Sequence, residues 1–496
     1  MRLPRLDGEG AIYRQVYRSL RTVILDGRMP PGSRLPSTRD VAADAGVARN
    51  RVVLAYRQLL DEGYVVGRVG SGTYVAAALP GNERAENPPR IHMASGTGTG
   101  SRGRAAPPRI RVTRAATRLL ARGEDWVSTA SRLRFDFACG RPSFADFPRA
   151  LWARLVRRRA RLSGSADFDY APPNGLPALR EAIAEHLTQW RGVACRAEEV
   201  VITNGSQQAL GMIAGLLLEP GERVALEEPH YAGARQAFEA ARAQIVSVPV
   251  DEQGLDVARL AGRRDVQLAY VTPAHQFPTG GILPLARRLT LLEWAAHANA
   301  YVIEDDYDSE YRYAGAPIEP LHGLDGAGRV FYVGSFSKIL SPALRLGYVV
   351  MPPALVRLFT IAKRAADLGS PTFGQQVLAD FIGQGHFAAH LRRSRRRHAA
   401  RRGVLRSALA AHVGEHGQVL GADAGLHVLL VLHGRTAAEI PGIVRRARAR
   451  DVGVYSTQLL YRTRPRRAEL MIGHGSLSEA DIARGIERLA PVLLRR

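Results

Sequence analysis

Between residues 134 and 496, short apolar runs of β type alternate with segments of helix length, and this alternation limits the possible folds most. The runs lie at residues 200–203, 223–226, 267–271, 301–304 and 330–333. The segment 285–299, between two of them, is long enough for a helix. The alternation predicts an α/β domain with a mainly parallel sheet. Ligands bind such sheets at the carboxyl ends of the strands, so polar residues that follow a strand are candidate site residues.

Lysine is almost absent from this chain. Lysine plus arginine number 69, yet only Lys338 and Lys363 are lysine. A retained lysine indicates a role that arginine cannot fill, since a lysine amine can lose its proton and form a Schiff base with a carbonyl. Lys338 is flanked by Ser335, Ser337 and Arg345, which could bind a phosphate. A Schiff-base lysine beside phosphate ligands points to pyridoxal phosphate; the alternative is a surface lysine among serines.

Two other strand ends carry residues that suit the same cofactor. Ser206 and Gln207 open an apolar helix, where free backbone amides favour a phosphate, although a capped helix has the same pattern. Asp305 could keep a pyridine nitrogen protonated, and Tyr307 could hydrogen-bond the phenolic oxygen of the ring. The carboxylates around Asp305 could instead hold a metal, but no histidine partners them at ligand spacing, so no metal site is predicted.

Two further side chains are candidates for contact with the cofactor, and for each a structural role is the alternative. Tyr231 could stack on the cofactor ring, or it could be a buried core tyrosine. His275 lies in a loop after the run 267–271. It could lie near the ring, or it could only order the loop.

The first 77 residues predict a winged helix-turn-helix. Helical spacing over 12–26 is followed by a capping-box pattern at 37–40 and by a third helix from Arg49 to about residue 62. That helix is predicted to bury five apolar residues, which are Val52, Val53, Tyr56, Leu59 and Leu60. Two strands around Gly70 form the wing. In such domains the third helix enters the major groove, so Arg49, Asn50 and Arg51 are candidate base contacts.

The charge balance indicates an anionic partner. The formal net charge is +23 and the sequence pI is about 10.8, which favours nucleic acid first and an acidic membrane second. A genome that favours arginine would explain arginine over lysine, but not the excess of basic over acidic residues. A basic run at 392–397 could contact DNA or form a solvated helix face.

Location and connections are also predicted from composition. Cys139 and Cys195 are the only cysteines, so neither a disulfide framework nor a zinc site is expected, and a reducing cytoplasm is the natural setting. No apolar run is long enough to span a bilayer, so no membrane partner is predicted. Residues 78–133 are rich in Gly, Pro and Arg, a composition typical of a flexible linker.

The first segment resembles the GntR-type DNA-binding domain. The residues that carry the resemblance are the loop and cap at 31–39, the end of the third helix at 60–64 and the wing at 70–75. The resemblance implies that DNA is contacted by Arg34, Arg39, Arg49, Arg51 and Gly70. Each of these arginines could instead belong to a solvated face.

The second segment resembles the fold type I aminotransferases over nearly all of residues 134–496. The resemblance implies that Lys338 forms the Schiff base with pyridoxal phosphate, that Asp305 pairs with the pyridine nitrogen and that Tyr307 bonds the phenolic oxygen. It implies a set of phosphate ligands, namely Ser206, Gln207, Ser335, Ser337 and Arg345. Tyr170 matches a tyrosine that reaches the phosphate of the partner subunit, which implies a dimer.

One position departs from that family. Aminotransferases usually bind the substrate carboxylate with an arginine on a late strand, and Met471 stands at the matching position here. Four arginines lie nearby in a loop-like stretch, at positions 462, 464, 466 and 467. An ordinary amino-acid substrate is therefore in doubt.

The order of the segments is similar to that of the MocR subfamily of transcription regulators: a winged helix at 1–77, a linker at 78–133 and an aminotransferase-like domain at 134–496. The resemblance implies a pyridoxal-phosphate-binding regulator that is a domain-exchanged homodimer on double-stranded operator DNA. Its effector would be pyridoxal phosphate itself or an amino compound. The alternatives are an aminotransferase with true turnover that carries a DNA-binding arm, and a DNA-binding protein whose large domain is only a dimerisation scaffold.

Overall fold

The computed structural model describes residues 6–68, 70–77, 117, 133–313, 318–421 and 423–494. The chain divides into two compact units, Met1–Pro108 and Arg109–Arg496. Apart from residues 117 and 133, the predicted linker lies outside the described residues. Among the residues that are described, no helix is both long and apolar enough to cross a membrane.

The first unit is three helices and a hairpin, which confirms the winged helix-turn-helix prediction. Its elements are α1 Ile12–Leu25, α2 Thr38–Ala45, α3 Arg49–Asp61, β1 Val65–Arg68 and β2 Gly72–Val75. The predicted capping box is present at the start of α2: Ser37 Oγ accepts from the Asp40 amide at 3.2 Å, and the Ser37 amide donates to Asp40 Oδ2 at 3.2 Å. Gly70 and Gly72 have φ of 74° and 112°, and these left-handed conformations let β1 and β2 pair as an antiparallel hairpin.

The buried side of α3 was predicted in part. Val52, Tyr56 and Leu59 are buried, but Val53 and Leu60 are 43% and 41% exposed, so their predicted burial is wrong. The buried stripe runs through positions 52, 55, 56 and 59, at the spacing of one helix face. Positions 53 and 60 lie beside this stripe, because a helix of 3.6 residues per turn brings only part of its apolar residues to the core.

The second unit is a mixed α/β structure. Its strands are β3 Phe135–Asp136, β4 Val200–Thr203, β5 Arg223–Glu228, β6 Gln244–Asp251, β7 Gly254–Leu255, β8 Val266–Val271, β9 Tyr301–Asp306, β10 Val330–Ser335, β11 Gly347–Val350, β12 Gly417–Leu420, β13 His427–Thr436, β14 Val452–Gly453, β15 Tyr455–Ser456 and β16 Arg467–Gly473. Its helices are α4 Arg149–Leu162, α5 Pro177–Arg191, α6 Ser206–Leu217, α7 Ala232–Ala240, α8 Leu285–Ala298, α9 Leu321–Leu324, α10 Val356–Asp367, α11 Thr372–Gly383, α12 His386–His412, α13 Ile440–Arg448 and α14 Glu479–Leu494.

The main sheet has eight strands in the order β4-β11-β10-β9-β8-β5-β6-β7. The strands β10, β9, β8, β5 and β6 are parallel neighbours, and β11 runs antiparallel between β10 and β4. All five predicted strands lie in this sheet, and the predicted helix at 285–299 is α8, so the α/β prediction is confirmed. Because the parallel strands point the same way, their carboxyl ends meet at one edge.

A second, antiparallel sheet follows in the chain, with the strand order β12-β13-β16-β15. Its apolar face packs on helices α12, α13 and α14 in one core, in which Leu405, Leu430, Ile443, Leu470 and Ile486 are buried. The short parallel pair of β3 and β14 joins the start of this unit to its last third.

Candidate functional site

The predicted site residues of the second unit follow strand ends at one edge of the main sheet. Lys338 follows β10, Asp305 lies near the end of β9, and Ser206 follows β4. Tyr231 and His275 follow β5 and β8 in the same way. Since these five strands are parallel to one another in the sheet, the fold brings residues from distant parts of the chain to one place.

The amine of Lys338 lies inside the protein at this edge of the sheet. Its Nζ donates to the carbonyl oxygen of Gly140 at 2.8 Å. Burial lowers the pKa of the Lys338 amine, and the negative charges of Asp308 and Asp305 oppose this only in part. The other lysine, Lys363, is fully buried and is held by an ion pair, which leaves Lys338 as the lysine with a nucleophilic amine.

Asp305 is a buried carboxyl that accepts a hydrogen bond from a tyrosine. It is 5% exposed, and the hydroxyl of Tyr270 donates to its Oδ2 at 2.7 Å. Burial raises the pKa of Asp305 to about 7, against the hydrogen bond from Tyr270, which lowers it. A carboxyl in this condition is stabilised by any cation brought next to it.

Tyr307, His275 and Asp308 form one hydrogen-bonded group. The Tyr307 hydroxyl lies 2.9 Å from His275 Nδ1, and the same nitrogen lies 3.1 and 3.2 Å from the two carboxylate oxygens of Asp308. Burial works to lower the pKa of His275, but the Asp308 carboxylate outweighs it, and the pKa of His275 is raised. Sequence reasoning missed the role of Asp308, because four neighbouring carboxylates in a row gave no signal of which one faces the histidine.

The fold also brings a second histidine to this group. His427, on β13, has a ligand atom within 4.8 Å of those of His275 and Asp308, so by donor type the three residues form the kind of cluster that can hold a metal ion. The sequence argument against a metal used spacing along the chain and missed this arrangement. The three side chains already have partners, since His275 pairs with Asp308 and His427 Nε2 is 3.2 Å from the Pro278 carbonyl. We interpret the cluster as a hydrogen-bond network.

A cradle for an anion forms where β4 meets α6. Ser206 and Gln207 are the first residues of α6, and Arg345 Nη2 donates to the Asn204 carbonyl just before it at 2.6 Å. Gly205 has φ of 91°, and a Cβ built on it would lie 2.9 Å from Arg345 Nη2. The cradle therefore requires glycine at this position, and the guanidinium lies against the helix start, where backbone amides are free.

Two serines complete this side of the site. Ser335 Oγ donates to Ser337 Oγ at 2.9 Å and accepts from the Ser337 amide at 3.1 Å. On the other side, Gln207 Nε2 donates to the Gly233 carbonyl at 2.8 Å, while its Oε1 is buried without a hydrogen-bond partner in the described chain. That oxygen lies on the Tyr231 side of the site, since a Cβ built on Gly233 would meet both Gln207 Oε1 and the Tyr231 ring within 2.6 Å. As an acceptor, it calls for a hydrogen-bond donor on a ligand and not for a phosphate oxygen.

Tyr231 borders both parts of the site. Its ring lies edge-on to that of Phe277, with centroids 5.9 Å apart. Burial raises the pKa of the Tyr231 hydroxyl far above its usual value, with the charge of Asp305 adding to the rise and that of Arg345 opposing it. The residue thus lies within electrostatic reach of both the carboxyl and the guanidinium.

Two predicted features lie apart from this group. Tyr170 is 82% exposed, so within one chain it does not join the other site residues. Met471 is 9% exposed and packs in an apolar cluster with Leu429 and Leu460. The four arginines at 462, 464, 466 and 467 are all exposed in or beside the preceding loop.

The predicted DNA-binding residues are on the surface of the first unit. All six are exposed, namely Arg34, Arg39, Arg49, Asn50, Arg51 and Gly70. Asn50 and Arg51 follow Arg49 in the first turn of α3, and Arg34 forms an antiparallel bridge to Tyr74 on the hairpin. In the second unit, two arginines of the basic run form ion pairs, Arg395 with Glu310 and Arg397 with Asp146, so part of that run is used within the unit.

Two family models match the chain. The model "Aminotransferase class I and II" matches residues 135–467, and "Bacterial regulatory proteins, gntR family" matches residues 12–75. The chain is 36% identical over 488 residues to the probable rhizopine catabolism regulatory protein MocR of Rhizobium meliloti, covering 98% of this chain and 95% of that one. It is 34% identical to the HTH-type transcriptional regulator TauR of Rhodobacter capsulatus, covering 98% and 97% of the two chains.

Enzymes match a smaller share of the chain. The 2-aminoadipate transaminase of Thermus thermophilus is 33% identical over 72% of this chain and 89% of its own. Two solved structures are similar as well. The α-aminoadipate aminotransferase LysN of Thermus thermophilus, complexed with N-(5'-phosphopyridoxyl)-L-leucine, has a TM-score of 0.67 and 32% identity over 72% of this chain and 92% of its own. The kynurenine aminotransferase of Pyrococcus horikoshii, in complex with PMP, has a TM-score of 0.68 and 28% identity over 78% and 95%.

Proposed function

This chain belongs to the MocR subfamily of GntR-type transcription regulators, and we propose that it binds pyridoxal phosphate through Lys338 and controls transcription in response to that cofactor or to an amino compound. Relatives along nearly the whole chain are named as HTH-type transcriptional regulators, as expected for a DNA-binding regulator. The aminotransferase class I and II fold is pyridoxal-phosphate-dependent.

The observation that carries the proposal is the buried amine of Lys338 beside two carboxylates and an anion cradle. Because burial lowers the pKa of Lys338, more of the amine is uncharged and nucleophilic than in an exposed lysine. When bound, pyridoxal phosphate supplies an aldehyde for that amine and a protonated ring that withdraws electrons. The residues present fit pyridoxal phosphate. The cradle at Gly205 can hold a phosphate, and the buried Asp305 carboxyl, whose pKa is raised, would be stabilised in its charged form by a cationic ring nitrogen.

Each residue would then have its own role. Lys338 would hold the aldehyde carbon, and Asp305 would keep a proton on the ring nitrogen. Tyr307 would bond the phenolic oxygen with His275 beside it, and Tyr231 would stack on the ring. The phosphate would be held by side chains around the start of α6, which are Ser206, Gln207, Ser335, Ser337 and Arg345.

DNA recognition is assigned to the first unit. Arg49, Asn50 and Arg51 are exposed on the first turn of α3, and this turn is the part of a recognition helix that reaches base edges. Arg34 and Arg39, which are exposed on the same unit, would contact the phosphate backbone of the DNA. The proposal puts the regulator in the cytoplasm, where bacterial DNA lies.

We further propose a domain-exchanged homodimer. Tyr170 and Phe168 are 82% and 83% exposed, an unusual condition for two aromatic rings so close in sequence. Burial of both against a second subunit would explain their exposure in a single chain. Tyr170 would then reach the phosphate cradle of the partner, and the domains would keep the bounds 1–77, 78–133 and 134–496.

The second candidate is an aminotransferase with turnover, which is favoured by the retained lysine, carboxylate and cradle. Met471 lies where the resemblance places the arginine for a substrate carboxylate, and the nearby arginines are exposed, which favours sensing over turnover. An assay with an amino donor and a keto acid separates the two. Steady turnover would support the enzyme, and binding without turnover would support the regulator.

The experiment that tests the proposal is a footprint of the full-length protein on the DNA upstream of its own gene, with and without pyridoxal phosphate. We expect a footprint whose extent or affinity changes with the cofactor, and we expect the Lys338→Arg variant to lose that change while it keeps the footprint. Lys338→Arg is a matched variant, because it keeps a positive charge and removes the nucleophilic amine. Binding that is indifferent to the cofactor in both proteins would contradict the proposed response.

A further inference from the structure

We propose that His275 and Asp308 form a positioning pair for Tyr307: Asp308 holds the proton of His275 Nδ1, so that the hydroxyl proton of Tyr307 is kept for the cofactor. This inference rests on the proposed function, because it concerns the same site. It adds a role for Asp308, which neither the family matches nor the sequence patterns assign.

The argument begins with the single nitrogen on which the three side chains meet. His275 Nδ1 is 2.9 Å from the Tyr307 hydroxyl oxygen and 3.1 Å from Asp308 Oδ1. A ring nitrogen either carries one proton or offers one lone pair. If Nδ1 carried no proton, its lone pair would face the Asp308 carboxylate at 3.1 Å. Two buried acceptors would then lie side by side without a hydrogen bond between them, which is unfavourable. The proton therefore lies on Nδ1 and is directed at Asp308.

The proton on His275 Nδ1 determines which hydrogen bonds Tyr307 can make. Because Nδ1 already carries a proton, it does not accept one from the hydroxyl, and the Tyr307 oxygen is at most an acceptor toward the histidine. The O–H of Tyr307 then needs an acceptor other than His275. The phenolic oxygen of pyridoxal phosphate is an acceptor of that kind.

The pair is held in place by the loop that leads into β13. His275 and Asp308 are 2% and 3% exposed. Gly425 has φ of 74°, and a Cβ built on it would overlap both the His275 ring and the Asp308 carboxylate. The Gly425 amide donates to the Tyr311 carbonyl at 2.8 Å, and the Tyr313 hydroxyl donates to the Gly425 carbonyl at 2.9 Å. Backbone therefore covers the pair, which leaves little freedom for the imidazole to turn away.

The charges around the pair agree with this arrangement. Burial works to lower the pKa of His275, but the Asp308 carboxylate prevails and the pKa is raised, which favours a proton on the ring. His427, whose ring also packs on that of His275, has its pKa lowered to about 4 by burial and by the charge of His275, so it is neutral near pH 7. Lys338 also feels the Asp308 charge, which raises the pKa of the amine against the effect of burial.

The test uses full-length protein loaded with pyridoxal phosphate, and it follows the cofactor absorbance as a function of pH. We expect His275→Gln and Tyr307→Phe each to shift the midpoint of the absorbance titration in the same direction, by about one pH unit, as expected when one hydrogen bond to a charged form is lost. Asp308→Asn also removes a charge that acts on Lys338 directly, so its shift should differ between the wild-type and the Tyr307→Phe backgrounds by the part that passes through the hydroxyl. His297→Gln, on the exposed side of α8, is the matched control and should leave the midpoint unchanged.

Two results would overturn the inference. One is an Asp308→Asn shift of equal size with and without the Tyr307 hydroxyl, which would mean that Asp308 acts directly or only through structure. The other is an unshifted midpoint in both Asp308→Asn and His275→Gln. If His275→Gln fails to fold, as judged by its thermal melt, the comparison of Asp308→Asn with the double variant still decides. Absence of cofactor absorbance in the wild-type protein would instead contradict the proposed function itself.

Discussion

Substitution of Gly205 by alanine tests the anion cradle directly. Gly205 has φ of 91° and ψ of 169°, a backbone conformation that is nearly restricted to glycine and costs another residue about 1–3 kcal/mol. In addition, the new Cβ would lie 2.9 Å from Arg345 Nη2 and 3.3 Å from its Cζ, so the guanidinium must move. Loss of one charge-assisted hydrogen bond to the phosphate is worth about 1.5–3 kcal/mol, which corresponds to roughly 10- to 100-fold in affinity.

Gly211 in the same helix provides a matched control. It is exposed, and a Cβ built on it meets no atom within 4 Å. Alanine at an interior helix position is favoured over glycine by about 1 kcal/mol, so Gly211→Ala should leave cofactor affinity unchanged and stabilise the fold slightly. We expect Gly205→Ala to lower the unfolding free energy in urea by about 1–3 kcal/mol and to weaken pyridoxal phosphate binding, followed by absorbance, at least tenfold. Equal affinity and equal stability of the two variants would refute the cradle.

Three further predictions concern other parts of the chain. Removal of the ion-pair partner of the buried Lys363 by Asp367→Ala should cost about 3–5 kcal/mol in urea denaturation, because it leaves an uncompensated buried charge; a cost below about 1 kcal/mol would contradict this reading. Burial raises the pKa of Asp305 to about 7 from an ordinary 3.8, so without cofactor the folded protein binds the Asp305 proton more tightly than the unfolded chain does. The proton therefore contributes to the free energy of unfolding below about pH 4, and this contribution is lost as the pH rises from about 4 to 7. For Asp305→Asn, the free energy of unfolding should fall less over that pH range than for the wild-type protein. An equal fall would contradict the raised pKa of Asp305. Arg49→Ala should weaken operator binding by about 1–3 kcal/mol in a gel-shift assay, while Arg28→Ala, which removes a surface ion pair of the same unit, should change it far less; equal effects would mean that α3 does not read the bases.

The fold was predictable where the sequence pattern was local. Four of the five predicted strands, β5, β8, β9 and β10, are parallel strands inside the main sheet, and the fifth, β4, lies at its edge. Buried strands of this kind are recognisable as continuous apolar stretches. The strand β11 was not predicted, because Gly347–Val350 is short and follows directly on the stretch around Lys338. Its pairing, antiparallel between β10 and β4, depends on contacts far apart in the sequence.

Only the site residues that directly follow a strand could be predicted from the sequence. Asp305 and Lys338 follow strands, and strand ends of a parallel sheet share an edge, so their meeting could be inferred from the sequence. Tyr270 could not, since an aromatic residue inside an apolar run is typical of a core strand, and only the register of β8 beside β9 brings its hydroxyl to Asp305. His427 comes from a different sheet more than a hundred residues later, where no local pattern marks it.

The proposed sensing would use the charges of this site. Without a ligand, the buried carboxyl of Asp305 has a raised pKa and the buried amine of Lys338 has a lowered one, so burial disfavours the charged form of both groups. A ligand that brings a cation to Asp305 and a carbonyl to Lys338 relieves both costs at once. A ligand that binds only the folded form stabilises it by about 2.7 kcal/mol at a hundred times its Kd, so occupancy of this site would stabilise the folded protein. The Gly425 loop lies directly on the His275–Asp308 pair, and the Asp308 carboxylate acts on the charge of Lys338, so we expect a change of charge at Lys338 to alter the contact between this pair and the loop.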